Sequence, residues 1–174
     1  MAYRDGSRLL GHLPMRVGNA VTLCQMLGSG IRGIYFYGPA GTFKTSIAAS
    51  YLASQVRGGA HGLYTFVPDL MADIHESYRN DEAESRTELV DRRIAVPCLV
   101  LDDLGKEKAS EHGAGVIFEI LDGRYREHRK GDWLIVTSNY PMDELCDRFP
   151  EHLGEPIRRR LGELTVSYPM DGTV

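Results

Sequence analysis

The chain contains no stretch of about 18 consecutive apolar residues, which excludes a membrane-spanning helix of ordinary length. Its first residues, "MAYRDGSRLLGHLP", lack an apolar centre followed by a small-residue cleavage point, so no secretion signal is read there. Cysteine is scarce. Cys24, Cys98 and Cys146 are odd in number and far apart, which supports neither a disulfide framework nor a zinc site and fits reduced thiols in a cytoplasmic protein. Positive charge is not in excess either: the net charge is −4, so the chain is no polycation. A local basic stripe remains open, because nucleic acid needs only one cationic face. Arginines do gather at Arg92-Arg93, at Arg124, Arg126 and Arg129 with Lys130, and at Arg158-Arg159-Arg160. A solvated helix face is the ordinary explanation of each group. Internal repeats and low-complexity tracts are absent.

What is present is an ordinary globular composition, 43% hydrophobic and 25% charged over 174 residues, enough for one domain with a core of its own. The whole chain, 1–174, reads as that single domain. Residues 1–30 read as a helical lead-in broken by Gly and Pro. Apolar runs at 33–38, 62–67, 97–105, 132–141 and 163–168 predict strands. Helical spacing is expected over 44–56, from Pro68 to about Tyr78, over 112–130, and in two short pieces, 142–148 and 154–162. Residues 79–93, "RNDEAESRTELVDRR", read as an exposed charged loop with a short helix at most. Strands alternating with helices predict an α/β fold with right-handed crossovers.

"YFYGPAGTFKTSIA", residues 35–48, follows the first strand and opens the first long helix. That context is what a phosphate-binding loop requires. Gly38 and Gly41 let the backbone curl so that successive N–H groups face an anion, and the helix adds its positive end. Pro39, Ala40, Thr42, Phe43 and Ser46 complete the candidate cradle. Lys44 is expected to reach the β- and γ-phosphates, and the Thr45 hydroxyl to ligate Mg²⁺. Phe43 is the anomaly, because the pattern has glycine there. Its N–H remains available, and its ring has to point away from the phosphates.

"LVLDDLG", residues 99–105, is a buried strand ending in two acids. In a parallel sheet those acids lie at the ligand-binding edge. Asp102 suits a magnesium-holding role, and Asp103 the orientation and activation of water. "IVTSNYP" ends the next strand, where Asn139 either positions that water or simply forms the turn before Tyr140-Pro141. "EPIRRRLGEL" carries three arginines, one of which could serve a neighbour's γ-phosphate, a surface ion-pair helix being the alternative.

In this order and spacing the four motifs resemble the AAA+ ATPases, and more closely the DnaC/DnaI helicase loaders and IstB transposition ATPases. The similarity covers roughly residues 30–168. It implies Lys44 and Thr45 as the Walker A pair, Asp102 and Asp103 as Walker B, Asn139 as sensor 1, and Arg160 as the arginine finger with Arg159 as runner-up. It implies a three-layer P-loop core with a five-stranded parallel sheet, order 5-1-4-3-2. It further implies ATP and Mg²⁺ as cofactors, self-assembly into a homo-oligomer, single-stranded DNA inside it, and a replicative helicase or transposase as partner. Residues 79–93 and the basic residues around 124–130 are the expected DNA contacts. Two departures stand out: Phe43, which bears on the hydrolysis rate, and the small room left for an N-terminal partner-binding domain or a helical lid. Two further readings stay open, a small-molecule P-loop kinase and a non-hydrolysing ATP-binding interaction module.

Overall fold

A computed structural model describes residues 15–80, 82–106, 110–127 and 129–170. Five strands form one sheet: β1 (Gly33–Tyr37), β2 (Gly62–Phe66), β3 (Cys98–Asp102), β4 (Trp133–Ser138) and β5 (Val166–Pro169). Their order is β2-β3-β4-β1-β5, with every neighbouring pair parallel, as the resemblance implied. Among the described residues seven helices lie between and before them: α1 (Met15–Gln25), α2 (Lys44–Arg57), α3 (Val67–Glu76), α4 (Arg86–Ala95), α5 (Glu111–Glu127), α6 (Met142–Cys146) and α7 (Glu151–Leu164).

The central strands are continuous apolar runs because both faces are covered; every residue of β3 and β4 is buried. On one face α1 and α2 set Ala20, Cys24, Ala48 and Leu52 against Phe36 and Ile135. On the other, Leu70, Val90, Ile120 and Leu161, from α3, α4, α5 and α7, cover Leu101 and Val136. Strand β4 lies between β1 and β3, Val136 sitting opposite Tyr35 and Leu101. This crossover brings the ends of β1, β3 and β4 together, although they are far apart in the chain. Ligands bind at such carboxyl edges in open α/β sheets.

The segment 79–93, expected as an exposed loop with a short helix, does hold that helix, but not as a wholly exposed one. Its second half is α4, opened by a capping box in which Ser85 and Glu88 satisfy each other's backbone N–H. Leu89 and Val90 are buried beneath that charged surface. The charges in this segment are dense, but adjacent Leu89 and Val90, with Ile94 about one turn on, suffice to seat the helix once a core is present. Two members of the basic clusters are corrected as well. Arg93 and Arg124 are both buried, so neither faces a DNA backbone. Arg93 donates to Thr65 Oγ1 and Leu89 O. The final strand begins three residues later than the apolar run suggests, because Glu163 and Leu164 still belong to α7. Expectations for residues 1–14 lie outside the described residues.

Candidate active site

The loop between β1 and α2 takes a backbone path that ordinary side chains resist. Gly38 has φ 143° and Gly41 φ 82°. A Cβ on Gly38 would stand 2.1 Å from the Met170 carbonyl oxygen, so even alanine there would displace the chain beyond β5. Phe43, with φ 67° and ψ 8°, is left-handed although it is not glycine. That conformation costs roughly 1–2 kcal/mol for a residue with a Cβ. The side chain recovers little of this by packing, since Phe43 is 53% exposed. Its ring borders the loop's cavity on one side and a groove between α1 and α2 on the other. Phe43→Gly is therefore expected to raise the melting temperature by a few degrees, roughly 1 kcal/mol of relief over a domain of this size, and to keep or increase turnover. Thermal melts beside an ATPase assay check this; a collapse of turnover would give the ring an active role.

Lys44 opens α2 and is buried. Its ammonium donates to Gly38 O at 2.7 Å, Pro39 O at 2.8 Å and Thr42 Oγ1 at 3.3 Å. Burial pushes the ammonium below its ordinary value, while the Asp103 and Asp102 carboxylates pull it back up. Thr45, one residue on, donates to Asp102 Oδ1 at 2.9 Å and Oδ2 at 3.2 Å. Asp102 ends β3 and is only 2% exposed. Thr137 of β4 adds a hydrogen bond to Asp102 Oδ1 at 2.6 Å and accepts one from the Asp103 N–H at 2.9 Å. Tyr64 of β2 donates to Asp102 Oδ2 at 2.6 Å.

Asp103 turns the chain at φ 62°, a left-handed conformation that Asp tolerates better than most residues. Its carboxylate pairs with Lys106 at 3.1 Å. Asn139 is exposed just beyond β4. A cavity of about 400 Å³ is lined by Ala40, Gly41, Thr42, Phe43, Lys44, Thr45 and Ser46 of the loop together with Asp103, Lys106, Thr137 and Asn139. Of the expected site residues, the loop, Asp103 and Asn139 thus meet at one cavity, with Asp102 directly beneath it.

The arginines of α7 stand elsewhere and do not line that cavity. Arg160, its side chain 19% exposed, donates to Asp122 and Glu163 and lies over the Tyr125 ring. Arg159 is 69% exposed and held by Glu163 alone. Arg158 pairs with Glu155 and Asp143.

A glycine-shaped loop leading into a helix, its lysine and threonine beside a strand-end aspartate, is a triphosphate cradle in geometry. The model of the family described as IstB-like ATP binding protein matches residues 29–159, which spans the loop, both acids and Asn139. The chain belongs to the IstB-like ATP binding proteins.

A Sinorhizobium fredii protein named as an insertion sequence ATP-binding protein is 29% identical over 118 residues, covering 68% of this chain and 37% of its own length. The replicative helicase loader DnaC of Escherichia coli strain K12 is 28% identical over 132 residues, covering 76% of this chain and 51% of that protein. This IstB-like chain therefore spans between about a third and a half of the curated relatives it matches. In three dimensions it resembles the crystal structure of a DnaC helicase loader, with TM-score 0.74 and 23% identity over 91% of this chain and 92% of that one. The fold is accordingly the P-loop AAA+ core.

Two residues of this IstB-like site escape a reading of the sequence. Thr137 sits inside the "TSN" motif, where Asn139 draws attention, yet the threonine is the one that joins Asp102 to Asp103. Tyr64 looks like any aromatic on an edge strand, and its distance from Asp102 in sequence hides their contact. The residues also suit a magnesium ion. The Thr45 hydroxyl and Asp102 carboxylate are hard oxygen donors, and Mg²⁺ takes only one or two protein oxygens when it shares phosphates and waters. Among the described residues no set of three His, Cys, Asp or Glu forms an all-protein cage.

Proposed function

We propose that the chain hydrolyses ATP and uses the cycle to assist a DNA-handling partner, either loading a replicative helicase or serving a transposase. The observation that carries this is the convergence of Thr45, Asp102 and Thr137 under a cavity lined by Lys44, Asp103 and Asn139. Each side chain has a distinct task there. The loop's N–H groups receive the phosphates, and Lys44 exchanges its two loop carbonyls for phosphate oxygens. Thr45 and Asp102 would hold Mg²⁺, which supplies charge neutralisation across the β- and γ-phosphates. Asp103, aimed at the same space, orients water and takes its proton, and Asn139 fixes that water's position.

Helix α7 lies outside the cavity, so an arginine from it would act on the nucleotide of an adjacent subunit in an assembly. Arg159 has one ion pair to break for that purpose. Arg160 must leave two carboxylates and an aromatic ring. Both partner readings have a relative of nearly equal identity, one named for an insertion sequence and one for helicase loading.

Turnover of ATP with and without single-stranded DNA, read beside solution mass, tests the proposal. Turnover that rises with DNA and with assembly supports it; phosphoryl transfer to a nucleoside or sugar without a DNA effect would replace it with the kinase. Lys44→Ala is expected to weaken ATP binding about 10- to 100-fold, the worth of charge-assisted hydrogen bonds lost from the phosphates. Calorimetry checks this, and unchanged affinity would remove Lys44 from the site.

A further inference from the structure

Tyr64 is the residue whose contact the proposed chemistry does not use. It stands on β2, an edge strand, and is 40% exposed. A tyrosine so placed has open water available to its hydroxyl. Instead the side chain reaches past its paired neighbour Val100 to the end of β3 and donates to Asp102 Oδ2 at 2.6 Å. Strand pairing does not require this, since β2 and β3 are already in register from Gly62–Cys98 to Phe66–Asp102.

The carboxylate it holds has an unusual set of partners. Asp102 receives Thr45 from α2, Thr137 from β4 and Tyr64 from β2. All three are neutral hydroxyls, and among the described residues no cation forms an ion pair with it. An ionised carboxylate offers about four acceptor sites. Three hydroxyls fix its plane through four contacts, two on each oxygen, and the two made by Thr45 share a single proton. Thr137 is anchored to the Asp103 backbone and Thr45 to the phosphate loop; Tyr64 makes the shorter of the two contacts on Oδ2, at 2.6 Å against 3.2 Å from Thr45.

We infer that Tyr64 is a positioning residue for the divalent cation: its hydrogen bond to Oδ2 holds Asp102 in the orientation that presents to the ion the acceptor positions now taken by the Thr45 hydroxyl. Partners of this kind, which orient a ligand without touching the metal, typically change metal affinity 10- to 100-fold when removed. The inference rests on the reading of the cavity as a magnesium-nucleotide site.

The test compares the full chain with Tyr64→Phe, which keeps the ring and its packing. Calorimetry with ATP is run in EDTA and across a magnesium series, and Mn²⁺ binding in the presence of ATP is followed by electron paramagnetic resonance. The expected result is unchanged affinity for metal-free ATP, with the half-saturating Mg²⁺ and Mn²⁺ concentrations raised about tenfold. Superimposable metal curves overturn the inference, including the case where only the melting temperature falls, which would make Tyr64 a strut between strands. If the wild-type chain itself gains nothing from Mg²⁺ in binding ATP, the magnesium-nucleotide reading fails first and this inference falls with it.

Discussion

Asp103→Asn is expected to leave ATP binding within a few fold of wild type and to lower hydrolysis by about 10²- to 10⁴-fold, the usual worth of a positioned general base. The substitution is clean for a structural reason. Asp103 sits at φ 62°, in a region where Asn is at least as comfortable as Asp. The contact that fixes its backbone, from its N–H to Thr137 Oγ1 at 2.9 Å, involves no side-chain atom of Asp103. Asn thus keeps the size, the turn and the tether, and removes only the proton acceptor. The pair with Lys106 is lost, but Lys106 is largely exposed, and such pairs contribute little. Single-turnover hydrolysis measured beside calorimetric ATP affinity separates the two effects. Equal loss of both would mean that Asp103 shapes the cavity without acting on water, and unchanged hydrolysis would remove it from the chemistry.

The second large effect concerns stability. Arg124 is 5% exposed, and its guanidinium donates to the carbonyl oxygens of Arg93, Ile94, Val96, Pro97 and Trp133. These belong to the C-terminal end of α4, the approach to β3 and the first residue of β4. A helix end leaves carbonyls without intrahelical partners, and here one planar fork from α5 satisfies them. Burial lowers the guanidinium to about 10, still far enough above neutrality to stay charged. Arg124→Met is expected to cost on the order of 3–5 kcal/mol, since several buried acceptors lose their donor together. For a domain of this length that corresponds to a fall of roughly 10 °C in melting temperature. Arg124→Lys should recover only part of the loss, because an ammonium cannot match the spread of a planar fork. A melting temperature within about 2 °C of wild type for Arg124→Met would show that water or backbone adjustment replaces the fork.

The same residue marks where a sequence stops being legible. Arg124 falls in a run with Arg126, Arg129 and Lys130, and charge alone gives no reason to separate it from them. Helical phase places it among Ile117, Ile120 and Leu121, but a cation at that phase reads as a helix-edge residue until carbonyls from α4 and β4 are seen around it. Helix α4 was hidden in the same manner. Its few apolar residues, Leu89, Val90 and Ile94, are outvoted by the surrounding charge, and only packing against α5 makes them decisive. The phosphate loop and the double-acid strand end were legible because their chemistry is local. Glycine spacing and the strand-to-helix transition are written in adjacent residues, and so was the presence of Phe43, although its left-handed backbone was not.

What the sequence by itself determined is the list of parts: a loop that curls around an anion, a lysine and threonine at a helix start, and a buried strand ending in acids. Alternation of strands and helices also determined the class of fold, because hydrophobic period and turn residues act over a few positions. Tertiary structure decided which parts touch. The crossover that places β4 between β1 and β3 brings Thr137 onto Asp102, and the pairing of β2 with β3 brings Tyr64 onto its other oxygen. No local rule encodes those contacts. They follow from closing loops of tens of residues around a shared core, and the burial of both faces of β3 and β4 is what holds them closed.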